Sequence, residues 1–373
     1  MSKARFGVGA FFIVLSAVFF MPLQAQEQTS QASSPSKTLK IEDLITYQSH
    51  PDKKRLGHYE FLKRDFLMSV ADANRVMSKL HTQAEQLIKS PQINPAPIPA
   101  IIHKIWLTNP NNPHDIPEKQ LQGLIETCQQ FPDYRHILWT NYPEALKPSL
   151  KKLGDLKIGI EVRSIEELRD LPGTKIGQAY LRQNIFANAT DIIRLQILAR
   201  DGGIYSDMGW TVFRLANVYD VFDAVMNTEY FDQGIVSHNV IATKANDPVI
   251  VTTLEKLQGL TKRGDLDRFL NRFSKEYISA VMLFSGPPML TAATAAVGGE
   301  NRRLLLIPGD LEKAFKRRHG NSWLGRGLNG SSTIARADVL QFFDDIGADL
   351  PLFIRLRVQF RAWRHQMREK LNF

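Results

Sequence analysis

Residues 189–213 constrain the fold more than any other part of this 373-residue chain. The two glycines at 202 and 203 predict a left-handed stop that ends a helix and reverses the chain. Before them, apolar residues recur at helical spacing: Ile185, Ala189, Ile192, Ile193, Leu195, Ile197 and Leu198. This stripe is so wide that we expect the helix to be largely buried. After the glycines, residues 204–206 are strand-like, and Thr211 to Phe213 resume strand character.

Three charged side chains lie within or directly after these predicted elements. Asp191 and Arg194 are three residues apart, so they share one helix face. Asp207 follows the short strand, and ligands in α/β folds bind beyond the carboxyl ends of strands. Taken singly, Asp191 and Arg194 fit a structural ion pair and Asp207 fits a turn. Together they predict a site that holds a sugar or a nucleotide-bound cation.

The segment from Ala187 to Asp207 resembles the signature of the DXD-containing sugar-nucleotide glycosyltransferases. This family includes the clostridial large-toxin glucosyltransferase domains and the yeast Golgi mannosyltransferases that initiate outer chains. Its signature is Ala-x-x-Ser/Thr-Asp-Ile-x-Arg, a short helix and then Gly-Gly-x-Tyr-x-Asp-x-Asp. The chain departs from the signature at Gly209, where the family has the last aspartate of the DXD motif.

Other segments resemble the same family in the same order along the chain. Residues 101–107 are similar to the family's first strand, and residues 131–139 are similar to its second strand unit. Residues 319–323 look like the late loop that closes over the diphosphate and the metal. The resemblance spans roughly residues 99 to 325.

The resemblance implies an α/β fold of the GT-A type, a nucleotide-binding mixed sheet flanked by helices. The implied activity moves a hexose from a nucleotide-sugar donor to a hydroxyl acceptor on a glycan, lipid or protein, with retention of configuration and with metal assistance. In that scheme Asp191, Arg194 and Asp207 are catalytic, with the first two holding the sugar. The resemblance also implies residues that bind the donor or close over it: Trp106 on the base, Tyr205 on the ribose or phosphate, and Asn321, Ser322 and Trp323 in the closing loop.

A divalent cation, Mn²⁺ or Mg²⁺, is the implied cofactor, because charge grows on the leaving diphosphate as the glycosidic bond breaks. Asp207 and His319 are its expected ligands, and Gly209 removes the second carboxylate. Three alternatives follow. His319 or Asn321 completes the coordination, or Arg317 and Arg318 neutralise the diphosphate without metal. In the third, catalysis is lost, leaving a nucleotide-sugar or glycan binding protein at a membrane surface.

The two ends of the chain have their own patterns. Residues 1–25 fit a secretory signal peptide, so we expect export to the periplasm, a lumen or the medium. An uncleaved N-terminal membrane anchor is the alternative. A polar linker is predicted over residues 26–39, a helical extension over residues 40–95, a catalytic domain over residues 96–349 and a basic amphipathic tail over residues 350–373. The helical extension either packs on the catalytic domain or serves as a docking module. The tail either contacts anionic lipid or packs with its arginines in water.

Composition narrows the classes of partner. The formal net charge of +9 suits an acidic surface in general. No groove-reading motif accompanies that charge, so we expect no nucleic-acid partner. No His-Glu-x-x-His spacing is present, which argues against a zinc hydrolase. The single cysteine, Cys128, is predicted to be a small buried residue.

Overall fold

The computed structural model describes residues 66–214, 218–229, 235–262, 285–297, 302–308 and 315–317. Several predictions fall outside those ranges: the signal peptide, the linker, the closing loop at residues 319–323 with Arg318, and the basic tail. Within the described ranges, no helix combines the length and the apolar character needed to cross a membrane.

A mixed seven-stranded sheet forms the centre of the fold, with the order β3-β2-β1-β4-β7-β6-β8. Its strands are β1 (Ile101–Trp106), β2 (Arg135–Thr140), β3 (Glu161–Ser164), β4 (Gly203–Ser206), β6 (Ala224–Glu229), β7 (Ile235–Thr243) and β8 (Leu304–Pro308). The pairs β1–β2, β2–β3, β1–β4 and β6–β8 are parallel, whereas β7 runs antiparallel to both β4 and β6. A separate two-stranded sheet pairs β5 (Trp210–Val212) with β9 (Phe315–Arg317).

Helices flank the central sheet. They are α1 (Val70–Lys89), α2 (Glu118–Gln130), α3 (Lys147–Asp155), α4 (Thr174–Arg182), α5 (Phe186–Asp201), α6 (Val218–Val221), α7 (Pro248–Lys262) and α8 (Pro287–Val297), with short 3₁₀ turns at Pro143–Leu146 and Ile165–Leu168. The predicted α/β class with a mixed sheet is therefore confirmed.

Hydrophobic cores lie on both faces of the sheet. On one face, Ile105 and Tyr205 pack with apolar residues of α4, α5, α7 and α8. On the other face, Leu138 packs with α2 and α3, and Ile204 packs with neighbouring strands. Cys128 lies in this second layer and is buried, as the sequence predicts. Burial raises the pKa of its thiol to about 11, so the group stays protonated at neutral pH.

Helix α1 is the described part of the predicted helical extension. It begins at Ser69, whose side chain accepts a hydrogen bond from the backbone N–H of Asp72. Met77 and Leu80 join the core on the α5 side of the sheet, and Ile88 joins the core on the opposite side. The helix therefore packs on the sheet domain, as one of the two interpretations of the extension predicts.

Candidate active site

Helix α5 and strand β4 carry the predicted site, and two glycines join them. Gly202 and Gly203 have φ angles of +64° and +92°. A Cβ atom on Gly202 would lie 2.6 Å from the backbone N of Ala245, and one on Gly203 would lie 2.6 Å from the carbonyl oxygen of Ile101. Only glycine fits both the backbone angles and the space, which is why the helix stops here.

Strand β4 delivers Asp207 to the rim of the sheet. The strand is buried and lies between β1 and β7. Immediately after it, the backbone N–H of Asp207 donates to the carbonyl of Asn239 on β7 at 2.8 Å. The Asp207 carbonyl accepts from the backbone N–H of Trp210 at 2.9 Å, which closes a four-residue turn. We call residues 207–210 the Asp207 turn.

Arg194 connects the two acids that the sequence singles out. Its guanidinium lies 3.0 Å from Oδ1 of Asp191 and 3.2 Å from Oδ1 of Asp207. It also donates to the carbonyls of Thr190 and His238, and it stacks 4.7 Å from the ring centre of Tyr205. The structure therefore brings Asp191, Arg194, Tyr205 and Asp207 together; with His238, we call them the Arg194 cluster.

The members of the cluster differ in how far their side chains are exposed to solvent. The side chains of Asp191 and Arg194 are 8% and 5% exposed, whereas that of Asp207 is 29% exposed. Asp207 is therefore the carboxylate that a ligand reaches first. The buried ion pair behind it holds it in place, and breaking such a pair by removing one partner leaves an uncompensated buried charge.

Tyr205 fixes one oxygen of that carboxylate. Its hydroxyl donates to Oδ1 of Asp207 at 2.6 Å. Burial raises the pKa of Tyr205 well above its usual value, and the negative charge of Asp207 acts in the same direction, whereas Arg194 opposes the rise. The phenol therefore stays protonated and remains a hydrogen-bond donor.

His238 belongs to the cluster but is not among the site residues predicted from the sequence. It lies on β7, is 2% exposed, and places Nδ1 3.3 Å from Oδ1 of Asp191. Its Nε2 has no hydrogen-bond partner among the residues that the structure describes. A signal that could have found it is the polar run from Ser237 to Asn239 between apolar residues of β7.

Lys104 lies against the Asp207 turn and is likewise not among the site residues predicted from the sequence. It is 1% exposed, in the middle of β1. Its ammonium donates to the carbonyl of Trp210 at 2.6 Å and to that of Asp207 at 3.1 Å. Burial lowers the pKa of Lys104 to about 7, although Cys128 and Asp207 oppose that shift.

Trp106 lies at the carboxyl end of β1 and is partly exposed. Its indole N–H donates to the carbonyl of His114 at 3.0 Å, and its ring packs with the α2 layer. Tyr205 packs with the opposite layer, next to α5. The structure therefore places Trp106 at the same edge of the sheet as Asp207, but on the other face from the ring of Tyr205.

A metal ion would have to be held by few protein ligands. Within the described ranges, no group of three or more His, Cys, Asp or Glu side chains is arranged to hold one. Oδ1 of Asp207 contacts Arg194 and Tyr205, so the other carboxylate oxygen, Oδ2, is the one available to coordinate a cation. Mg²⁺ is commonly bound through one or two carboxylates plus substrate phosphates, and Asp207 fits that arrangement. Gly209, in the Asp207 turn, offers no side chain.

Part of this chain matches a known family of proteins. Residues 117–226 match the family described as the glycosyltransferase sugar-binding region containing the DXD motif. A protein named Toxin from Photorhabdus asymbiotica is 31% identical over 123 residues, which is 31% of this chain. The chain spans only 4% of the length of that relative.

Solved structures with similarity to this chain include the following three. The PaToxG glycosyltransferase has a TM-score of 0.45 and 22% identity, over 60% of this chain and 78% of its own. The UDP-bound glycosyltransferase domain of the YGT toxin has a TM-score of 0.45 and 11% identity, over 73% and 91%. The catalytic domain of α-toxin from Clostridium novyi has a TM-score of 0.45 and 11% identity, over 83% and 100%.

The matched segment contains Asp191, Arg194, Tyr205 and Asp207, the residues on which the predicted resemblance mainly depends, and that resemblance is confirmed. The interpretation of Gly209 as a lost aspartate stays a prediction. Over residues 117–226, less than a third of its length, the chain is similar to the glycosyltransferase sugar-binding region that contains the DXD motif.

Proposed function

We propose that this protein is a glycosyltransferase that moves a hexose from a nucleotide sugar to a hydroxyl acceptor. The observation that carries the proposal is the Arg194 cluster, in which a buried guanidinium holds the exposed carboxylate of Asp207 at the sheet rim. Apart from His238, the cluster lies inside residues 117–226, the segment that matches the family. Export of the protein, contact of residues 350–373 with anionic lipid, and a glycan, lipid or protein acceptor are further parts of the proposal.

The cluster suits a reaction in which charge develops on a diphosphate. Asp191 and Arg194 form a preorganised polar wall, with little solvent around it, so its interactions are stronger than in water. Tyr205 and Arg194 orient Asp207 through Oδ1 and leave its other oxygen for the donor side. A divalent cation, when bound there, neutralises the leaving diphosphate. Retention of the sugar's configuration is implied by the family resemblance.

Substitution of Asp207 tests the proposal. The wild-type chain is incubated with UDP-glucose, UDP-N-acetylglucosamine or GDP-mannose, with MnCl₂ or with EDTA, and release of free nucleotide is measured. We expect turnover of at least one donor with MnCl₂ and a loss on chelation. Asp207→Asn keeps the shape of the side chain but removes its charge, and we expect turnover to fall at least about 100-fold.

A matched control uses an exposed acid. Asp155 pairs with Lys151 on the surface of α3, with its side chain 65% exposed, so Asp155→Asn should leave turnover unchanged. Wild-type rates in Asp207→Asn, with unfolding by urea unaltered, would remove Asp207 from the mechanism.

Gly209 favours a second candidate, a protein that binds nucleotide sugars without turning them over. The Asp207 turn has one carboxylate where the family signature has two. Calorimetric titration with the same donors, with and without MnCl₂, separates the two functions. Binding without nucleotide release under every condition would support the binding protein and overturn the enzyme.

A further inference from the structure

Lys104 makes an unusual set of contacts for a residue in the middle of a core strand. In β1, Ile102 and Ile105 are apolar and 1% and 5% exposed, and His103 between Ile102 and Lys104 is fully buried. Burying an ammonium group in such a place is costly unless its hydrogen bonds are made. Lys104 makes them to carbonyls of Asp207 and Trp210, the first and last residues of the Asp207 turn.

The ammonium therefore ties the two ends of the turn to the strand beneath it. From the other side, β7 holds the turn through the hydrogen bond from the Asp207 N–H to Asn239. Both of these hydrogen bonds go to backbone oxygens, so they do not occupy the side-chain oxygen of Asp207 that Arg194 and Tyr205 leave available. Gly209, within the turn, has no side chain that could restrict the turn by further contacts.

We propose that Lys104 is a positioning residue that fixes the backbone of the Asp207 turn, so that the Asp207 carboxylate is preorganised for the donor and the divalent cation that accompanies its diphosphate. This inference rests on the proposed function. A side chain that donates to two carbonyls restricts the turn more than an apolar residue would, and preorganised groups lose less free energy when they bind.

Two substitutions test the proposal. Lys104→Met keeps most of the length of the side chain and removes its donors, whereas Lys104→Gln replaces the amine by an amide that can donate two hydrogen bonds. The control is Lys151→Met, because Lys151 is 78% exposed and pairs only with Asp155 on the surface of α3. The folded fraction of each variant is checked by circular dichroism and by unfolding in urea.

The first readout is independent of any enzyme activity. Hydrogen exchange is measured by mass spectrometry on peptides covering residues 207–212 and, as an internal reference, strand β2. We expect Lys104→Met to speed exchange in residues 207–212 by about tenfold, without a comparable change in β2, and Lys104→Gln to recover part of the protection. Equal exchange in residues 207–212 of the wild type and Lys104→Met overturns the proposal. Should Lys104→Met fail to fold, Lys104→Gln is compared with the wild type in the same way. We then expect faster exchange in residues 207–212 of Lys104→Gln than in the wild type, and equal exchange overturns the proposal.

The second readout uses the donor that the wild type binds or turns over, drawn from the UDP-glucose, UDP-N-acetylglucosamine and GDP-mannose panel. We expect Lys104→Met to raise the KM or Kd for that donor about tenfold, with a smaller rise for Lys104→Gln. If Lys104 acts through Asp207, adding Lys104→Met to Asp207→Asn should cost little more, because the two changes remove one shared interaction.

The two readouts separate failure of this inference from failure of the proposed function. Additive losses in the double variant, or an unchanged KM despite faster exchange, overturn the positioning role while leaving the enzyme intact. A wild-type chain that neither binds nor turns over any donor overturns the proposed function. The exchange data then still decide whether Lys104 fixes the turn.

Discussion

At the scale of single residues, the site depends on buried groups that hold one partly exposed carboxylate. Arg194 lies between Asp191 and Asp207, and Tyr205 is a neutral donor to Asp207. Arg194 therefore has its hydrogen-bond and ion-pair partners within the protein before any substrate binds. The donor therefore meets a site whose charges are already compensated, apart from the exposed side of Asp207.

His103 gives a pH prediction at this scale. Its ring is fully buried, with Nε2 3.0 Å from the carbonyl of Gly202 and Nδ1 accepting from the indole of Trp139 at 3.1 Å. A neutral ring with its proton on Nε2 satisfies both contacts. Burial lowers the pKa of His103 from 6.5 to about 4, although the bond to Gly202 opposes that shift.

The sign of the effect follows from proton counts. Between pH 4 and pH 6.5 the unfolded chain protonates this histidine and the folded chain does not, so the free energy of unfolding falls as the pH falls through that range. We expect His103 to lower the free energy of unfolding by up to about 3 kcal/mol as the pH falls through this range. Urea unfolding of the wild type and of His103→Gln at several pH values checks this. Identical pH slopes for the two proteins would contradict it.

At the scale of elements, the connection from α5 to β4 is the most constrained piece of backbone. Gly203→Ala would place a Cβ 2.6 Å from the carbonyl oxygen of Ile101, at a φ of +92°. We expect the free energy of unfolding to fall by roughly 2 to 4 kcal/mol, because strain at positive φ adds to the clash. Urea unfolding measures the change.

Gly154 offers a matched control for that substitution. It lies in α3, and a Cβ built there meets nothing within 4 Å. Gly154→Ala should stabilise the protein slightly, by about 0.5 to 1 kcal/mol, because alanine is the better helix former. A Gly203→Ala variant as stable as Gly154→Ala would show that the backbone at 203 relaxes freely.

The sequence predicts these elements well because their signals are local. A wide apolar stripe, two glycines and a short β-rich segment indicate α5, its end and β4 without any knowledge of the rest of the chain. His238 and Lys104 could not be found in this way. Both reach the site only because β7 and β1 flank β4, and that order of strands is a property of the whole sheet.

At the scale of the whole molecule, the sheet domain extends beyond the segment that matches the family. Residues 117–226 include β2 to β5 and part of β6, whereas β1, β7, β8 and α1 lie outside that segment. Yet β1 carries Lys104 and β7 carries His238, so the site depends on strands that the match does not reach. Helix α1 adds apolar residues to the cores on both faces of the sheet.

Leu80 tests how far α1 stabilises the domain. It is 1% exposed and lies in the same core as α5 and Tyr205. We expect Leu80→Ala to lower the free energy of unfolding by about 2 to 5 kcal/mol, through lost burial and a remaining cavity. Leu67, just before the helix, is 91% exposed, so Leu67→Ala should change stability by less than about 0.5 kcal/mol.

Urea unfolding of these two variants gives the comparison. A single cooperative transition, shifted in Leu80→Ala and unshifted in Leu67→Ala, is expected if α1 folds with the sheet. An early, separate transition in Leu80→Ala would mean that the helix detaches while the sheet remains folded.

The shortness of β4 limits how this part of the chain can change. The strand is four residues long and hydrogen-bonded on both sides, and its entry is fixed by the close approach of Gly203 to Ile101. Side chains alternate between the two faces of a sheet, so one inserted or deleted residue before Asp207 would turn Tyr205 away from Arg194. The number of residues between the end of α5 and Asp207 is therefore less free to vary than their identities.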